Sequence, residues 1–142
     1  MTSMDAVKDF WIAVDTHDWD LLASAIADDF VRIGMNGDEA DTCRGKTNYL
    51  QFVSSVVGKM TYHDLKTKRI FYSEDRRQAI AETVETILPP DGGKFVMDFV
   101  NVHELNEEGL ITKLDIYWKT QKELPPSWIA VETVMEKAGS QG

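Results

Sequence analysis

Met4, Val7, Phe10, Trp11 and Val14 recur three and four positions apart, on one stripe of a helix, with Ser3 and Asp5 suited to its start. The stretch THDWD at 16–20 interrupts that pattern. Asp18 then stands where it can cap a second helix carrying Leu21, Leu22, Ala25 and Ile26, which ends at Ala-Asp-Asp, 27–29. Residues 30–35, FVRIGM, read as a short strand, followed by the polar loop NGDEADTC. Gly45 punctuates, and Tyr49, Leu50, Phe52, Val53, Val56 and Val57 form a third helix that stops at Gly58.

From residue 60 onward the period changes. Segments 60–73, 77–88, 94–105 and 110–120 are rich in Val, Ile, Thr, Phe and Tyr. Ser-Glu-Asp, Pro-Pro-Asp-Gly-Gly and Asn-Glu-Glu-Gly separate them, all turn chemistry. Short turns between consecutive strands predict an antiparallel meander. Pro125 and Pro126 stop the last strand, and Ser127 can cap a terminal helix with Trp128, Val131, Met135 and Ala138 on one stripe. Helices set before a largely antiparallel sheet make an α+β domain over 1–121, with 122–142 as a tail helix. A curved sheet closed by helices on its inner face encloses a cavity, so the concave face is where a site is expected.

Composition narrows the partners. The chain has 142 residues, enough for one domain with a real core. Fifteen basic against 24 acidic residues give a net charge of −9, without the basic footprint of a nucleic-acid or anionic-membrane partner. Cys43 is the sole cysteine, which excludes an internal disulfide and a cysteine zinc cluster. Asp5, Lys8 and Asp9 fall where a signal peptide needs an apolar core, and no apolar run approaches the ~20 residues of a membrane span. A cytoplasmic location is therefore expected. His17 with Asp18 and Asp20 lacks HxxxH or HxH spacing, so no metal is expected.

The element order, with the phrases DWDLLASAIADDF, RGKTNYLQF and NEEGLITKLDIYW, resembles the NTF2-like superfamily. Within it the chain looks like the branch of ketosteroid isomerases, SnoaL-related polyketide cyclases and limonene-epoxide hydrolases. The resemblance spans roughly residues 4–120. It implies a conical α+β barrel with an apolar pocket, three N-terminal helices on a curved mixed sheet, and a homodimer. Residues 97–118 align without a gap to bacterial ketosteroid isomerase. In that alignment the isomerase's base position falls on Gly34, its tyrosine on Phe10 and its protonated acid on Asn101. Two of those three positions are chemically empty, so steroid isomerisation by that mechanism is not expected.

The same alignment turns Met97, Phe99, Asn101 and His103 inward on one strand face. Asn101 is expected to donate to a carbonyl or enolate oxygen. On RQAIAETVETIL the family register sends Glu82 inward, where desolvation would suit it to general acid/base work. A shift of one residue would turn Glu82 out and bring Thr83 and Glu85 in. Arg32 shares the inward parity of Gly34, which offers a pairing with Glu82 beside the alternative of a surface place on a short strand, and His103 is a further candidate base. An arginine beside a carboxylate is similar to the group of limonene-epoxide hydrolase, whose second aspartate would fall on Ile116. Phe10, Trp11, Tyr62, Met97, Phe99, Leu114, Ile116 and Trp118 are the expected wall. These residues suggest a cofactor-free isomerase, cyclase or dehydratase acting on a small apolar oxygenated molecule. A non-catalytic binding or association domain is the alternative, and epoxide hydrolysis ranks below it.

Overall fold

The computed structural model describes residues 5–119. The tail helix expected after Pro126 lies outside them. The chain runs α1 (Ala6–Thr16), α2 (Trp19–Ala25), β1 (Ile26–Ile33), a 3-10 turn (Glu39–Asp41), β2 (Thr42–Arg44), α3 (Lys46–Gly58), β3 (Tyr62–Tyr72), β4 (Gln78–Leu88), β5 (Phe95–Leu105) and β6 (Ile111–Lys119). The four long strands fall where the alternating segments predict them. Two elements differ from expectation. β1 starts directly at the end of α2, four residues earlier than the apolar FVRIGM run suggests, and the polar loop contains the short β2.

Local chemistry sets the helix ends. The Asp5 carboxylate accepts from the Lys8 N–H at 3.1 Å, and Asp18 accepts from the Leu21 N–H at 3.1 Å, each satisfying an otherwise orphan donor. His17 closes α1 in a left-handed conformation, φ 60°, its backbone N–H donating to the Ala13 carbonyl. The β5–β6 turn is held by Asn106, whose side chain accepts from the Glu108 and Leu110 N–H groups, and Gly109 supplies the positive φ.

The sheet order is β2-β1-β6-β5-β4-β3. All neighbours are antiparallel except β1 and β6, so the sheet is mixed and largely antiparallel. It is open: β2 and β3 are its edges, and the α+β cone is not a closed barrel. The helices pack on one face, α1 against β3 and α3 against β1. Between the layers sits the core, with Val7, Phe10, Leu22, Ile26, Phe30 and Ile111 fully buried. Burial of one such side chain contributes about 1.5–3 kcal/mol, so this layer holds the helices to the sheet.

Register decides which residues reach the inner face. Ala79 pairs with His103, Ala81 with Asn101, Thr83 with Phe99 and Glu85 with Met97. Odd-numbered residues of β4 therefore point inward with Asn101, and Glu82 points outward. The physical reason lies under α1. Its Phe10 and Trp11 rings lie against the His103 ring, so the β4 residues opposite must be small, and Ala79 and Ala81 meet that need. On the outer face Glu82 lies opposite Arg69 and pairs with it at 2.5 Å, just after a bulge in β3 between Thr67 and Arg69.

Candidate active site

Between the helices and the upper part of the sheet lies a cavity of about 230 Å³. Its wall is mostly apolar, with Trp11, Val53, Val57, Met97, Phe99 and Ile116 prominent, and it carries four polar residues: Arg32, Tyr49, Glu85 and Asn101. An apolar hollow with a few convergent polar groups is the usual form of a small-molecule site.

Glu85 is the carboxylate of that wall. It stands on β4 diagonal to His63 on β3, because His63 pairs with Ile87 and Leu65 with Glu85. The His63 Nε2 lies 2.7 Å from the Glu85 carboxylate. The His63 side chain is almost fully buried, while Glu85 keeps 19% of its side-chain surface. Behind His63, its Nδ1 lies 3.1 Å from Nε2 of His17, whose ring is exposed and stacks on Trp19 at 5.5 Å.

Arg32 enters from β1, opposite Leu114 of β6. It does not meet Glu82. Its guanidinium donates to the backbone oxygen and the carboxylate of Asp41, both at 3.2 Å, and lies 4.9 Å from the centre of the Phe52 ring. Asp41 also accepts from the Asn36 N–H at 3.0 Å. Its carboxylate fills the space beside Gly34 where a Cβ would stand. Gly34, just past the end of β1, thus carries no side chain, and a carboxylate from the 3-10 turn occupies the space one would take.

Tyr49 reaches the cavity from α3 and stacks against Phe10 at 5.9 Å. Burial pushes its phenol far above the ordinary value, against the opposing pull of Arg32, so it stays protonated and is a donor. It makes no hydrogen bond to another described residue. Phe10 itself lies in the core and does not line the cavity.

Asn101 stands in the wall as the alternation requires, but its amide is turned the other way from the expected donor. Both N–H groups are spent within the sheet, on the Ala81 carbonyl at 3.0 Å and the Thr83 hydroxyl at 2.9 Å. A carbonyl can only accept, so it fixes the flip of the amide. What Asn101 offers the cavity is an oxygen acceptor.

His103 points inward yet lies beneath the cavity rather than on it. Its Nε2 accepts from the Trp11 indole N–H at 3.1 Å, and its Nδ1–H donates to the Ala79 carbonyl at 3.1 Å. Burial pushes the ring down to about 4, and the Ala79 carbonyl only partly opposes this. A neutral ring with both nitrogens engaged has no free position for a substrate proton, which removes it as a base. Tyr62 is also misplaced by the expected wall: it is exposed on the outer face, its hydroxyl bonded to Asp64, while His63 takes the inward position. Trp118 stacks on Phe99 at the open end of the sheet, outside the cavity wall. Trp11, Met97, Phe99, Leu114 and Ile116 do line it. Among the described residues no His, Cys, Asp and Glu cluster could hold a metal ion.

A family model described as a SnoaL-like domain matches residues 7–114, from α1 into β6, and so takes in every polar residue of the cavity. The chain belongs to the SnoaL-like family. Solved structures similar to this SnoaL-like domain include an NTF2-like protein of unknown function from an Exiguobacterium species, 19% identical, with a TM-score of 0.69 over 80% of this chain and 98% of the other. A Mycobacterium tuberculosis protein in complex with estradiol-17β-hemisuccinate is 22% identical, with a TM-score of 0.69 over 80% of this chain and 91% of the other. An LEH-like epoxide hydrolase of the same organism is 18% identical, with a TM-score of 0.66 over 96% of this chain and 91% of the other. At these identities the likeness is one of fold. A comparison with curated protein sequences returned no match. Among the described residues of this SnoaL-like domain no helix is long and apolar enough to cross a membrane.

Proposed function

We propose that this domain is a small-molecule enzyme that moves a proton next to a carbonyl on an apolar, oxygenated, cyclic substrate, as an isomerase, cyclase or dehydratase. The observation that carries this reading is the convergence of Glu85, Arg32, Tyr49 and Asn101 on one apolar cavity. Glu85 takes the proton. The Tyr49 phenol and the Arg32 guanidinium donate to the oxygen on which charge develops. The Asn101 oxygen accepts from a hydroxyl elsewhere on the ligand. A matching substrate bears a carbonyl and a hydroxyl on a compact apolar frame. Every role is filled by a side chain, and the scheme calls on no cofactor.

Exposed Ile80, Val100 and Tyr117 give the outer sheet face an apolar strip, which supports a homodimer through that face. Equilibrium sedimentation of the full chain tests it: a monomer at micromolar concentration removes the dimer.

The engagement of the Asn101 amide within the sheet favours a second reading, binding without turnover. Epoxide hydrolysis ranks lower, because the Asp41 carboxylate does not line the cavity and Ile116 stands where a second carboxylate is needed. One experiment separates the first two. Cyclic ketones, hydroxyketones, enones and epoxides are incubated with the full chain in deuterated water, and deuterium uptake and product are followed by mass spectrometry. Glu85→Gln is expected to lower the rate by about 10²–10⁴-fold, the usual worth of a general base, while Glu82→Gln leaves it unchanged. Saturable binding without exchange or product for any compound leaves the binding reading in its place.

A further inference from the structure

The wall of the cavity at Glu85 is connected to the surface from behind. His17 is exposed, His63 is almost fully buried, and Glu85 lines the cavity, and the three touch in sequence. The spacings are 3.1 Å from His17 Nε2 to His63 Nδ1 and 2.7 Å from His63 Nε2 to Glu85. Each contact is within hydrogen-bond range, and His63 turns a different nitrogen to each of its two neighbours.

We propose that His17 and His63 form a proton path between solvent and Glu85, with His63 as the positioning residue that aims the carboxylate. The proposal rests on Glu85 being the group that moves the substrate's proton. A compact substrate that fills the cavity covers Glu85 from the front, so a proton lost to or gained from solvent needs a second door. The path supplies it in balanced steps. A solvent proton binds Nδ1 of His17 as the Nε2–H of that ring passes to Nδ1 of His63. The Nε2–H of His63 then passes to the Glu85 carboxylate, which becomes a carboxylic acid. The reverse sequence returns the proton to water.

The surroundings suit this function. The groups facing His63 are Glu85 from β4, and Asp15 and His17 from the end of α1. Burial raises the Asp15 carboxyl, but the Leu65 N–H and Lys66 outweigh it and hold it below its usual range, so Asp15 stays ionised beside the path. Two structural devices hold the outer ring. The left-handed backbone at His17 turns it back over β3, and Trp19 stacks beneath it, nearly parallel at 8°.

The test is imidazole nitrogen NMR on the full chain, reading the exchange of the His63 Nε2 proton with solvent. His17→Asn removes the outer ring and tolerates the left-handed backbone; Glu85→Gln removes the inner acceptor and keeps its shape. Each single substitution is expected to slow exchange roughly tenfold, equivalent to losing one proton-transfer step. The double variant is expected to be no slower than either, because a path broken once is broken. Exchange in His17→Asn within about twofold of wild type, or effects that multiply in the double variant, overturns the path. Circular dichroism of the exposed-site variant confirms that the fold is intact. Turnover is scored separately. Loss of turnover in Glu85→Gln with exchange indifferent to His17 keeps Glu85 as base and removes the path. Coupled exchange without turnover on any compound keeps the path and removes the enzyme.

Discussion

Two histidines on the inner face of one sheet are equally hidden from water and are built for opposite purposes. His103 on β5 faces an indole N–H on one side and a peptide carbonyl on the other. One donor and one acceptor match a neutral imidazole, and a proton added to Nε2 would meet the Trp11 N–H head-on. His63 on β3 faces a carboxylate and a second imidazole. Both of those neighbours can accept a hydrogen, so the ring can hand protons along. Partner polarity, more than depth, separates a structural histidine from one that can serve a site.

Breaking each arrangement gives effects of graded size. The largest belongs to the His63 side, where Glu85→Gln removes the base itself and turnover falls as set out above. Next comes pH, which reads the His103 side. The folded ring takes its proton only near 4, whereas the unfolded ring does so near its ordinary 6.5. Between those values the unfolded chain binds more protons, so stability that is complete above pH 6.5 drains away as pH falls toward 4. The loss from this group is about 3 kcal/mol, and denaturant unfolding between pH 7 and 4 measures it; His103→Gln is expected to flatten the slope.

Trp11→Phe leaves His103 Nε2 without its donor and is expected to cost about 1–3 kcal/mol in the same unfolding assay. Gly34→Ala sharpens the comparison from a third direction, since the new methyl group displaces the Asp41 carboxylate from Arg32. It is expected to cost about 1–3 kcal/mol and to weaken ligand binding while leaving both histidines untouched. The smallest effect is His17→Asn, expected within about 0.5 kcal/mol of wild type in stability because the ring is exposed.

Most of the architecture was legible from periodicity and turn residues. Asn106 and Gly109 announce the β5–β6 turn, and Asp18 announces α2. The three-residue β2 was not legible, since nothing in a run as polar as NGDEADTC distinguishes a strand. On β5 the alignment to the resembled family gives the inward face correctly, with Met97, Phe99 and Asn101 on the cavity wall and His103 buried beneath it. On β4 the same alignment gives the wrong face. There Ile80, Glu82 and Val84 look like an inward face beside Ala79, Ala81 and Thr83. The deciding fact is non-local: the α1 aromatics and His103 leave room only for alanine, and Arg69 waits outside for Glu82. A bulge in β3, unmarked by any glycine or proline, carries Arg69 to that spot. Tyr49 was missed for a related reason, because a helix stripe names its buried residues without saying which of them meet a void. On β3 parity admits either Tyr62 or His63, and preferring Tyr62 left out the residue that lies behind Glu85.

The parallel pairing of β1 with β6 has a consequence for how the molecule is made. Ile26 lies beside Ile111, so the first strand waits for the last. Until β6 leaves the ribosome, β1 has only the three residues of β2 as a strand partner, and Phe30 and Ile26 have half a core. Chains ending before residue 111 should thus remain unstructured and open to proteases, with cooperative folding beginning late in synthesis and slowed by the long loop it must close.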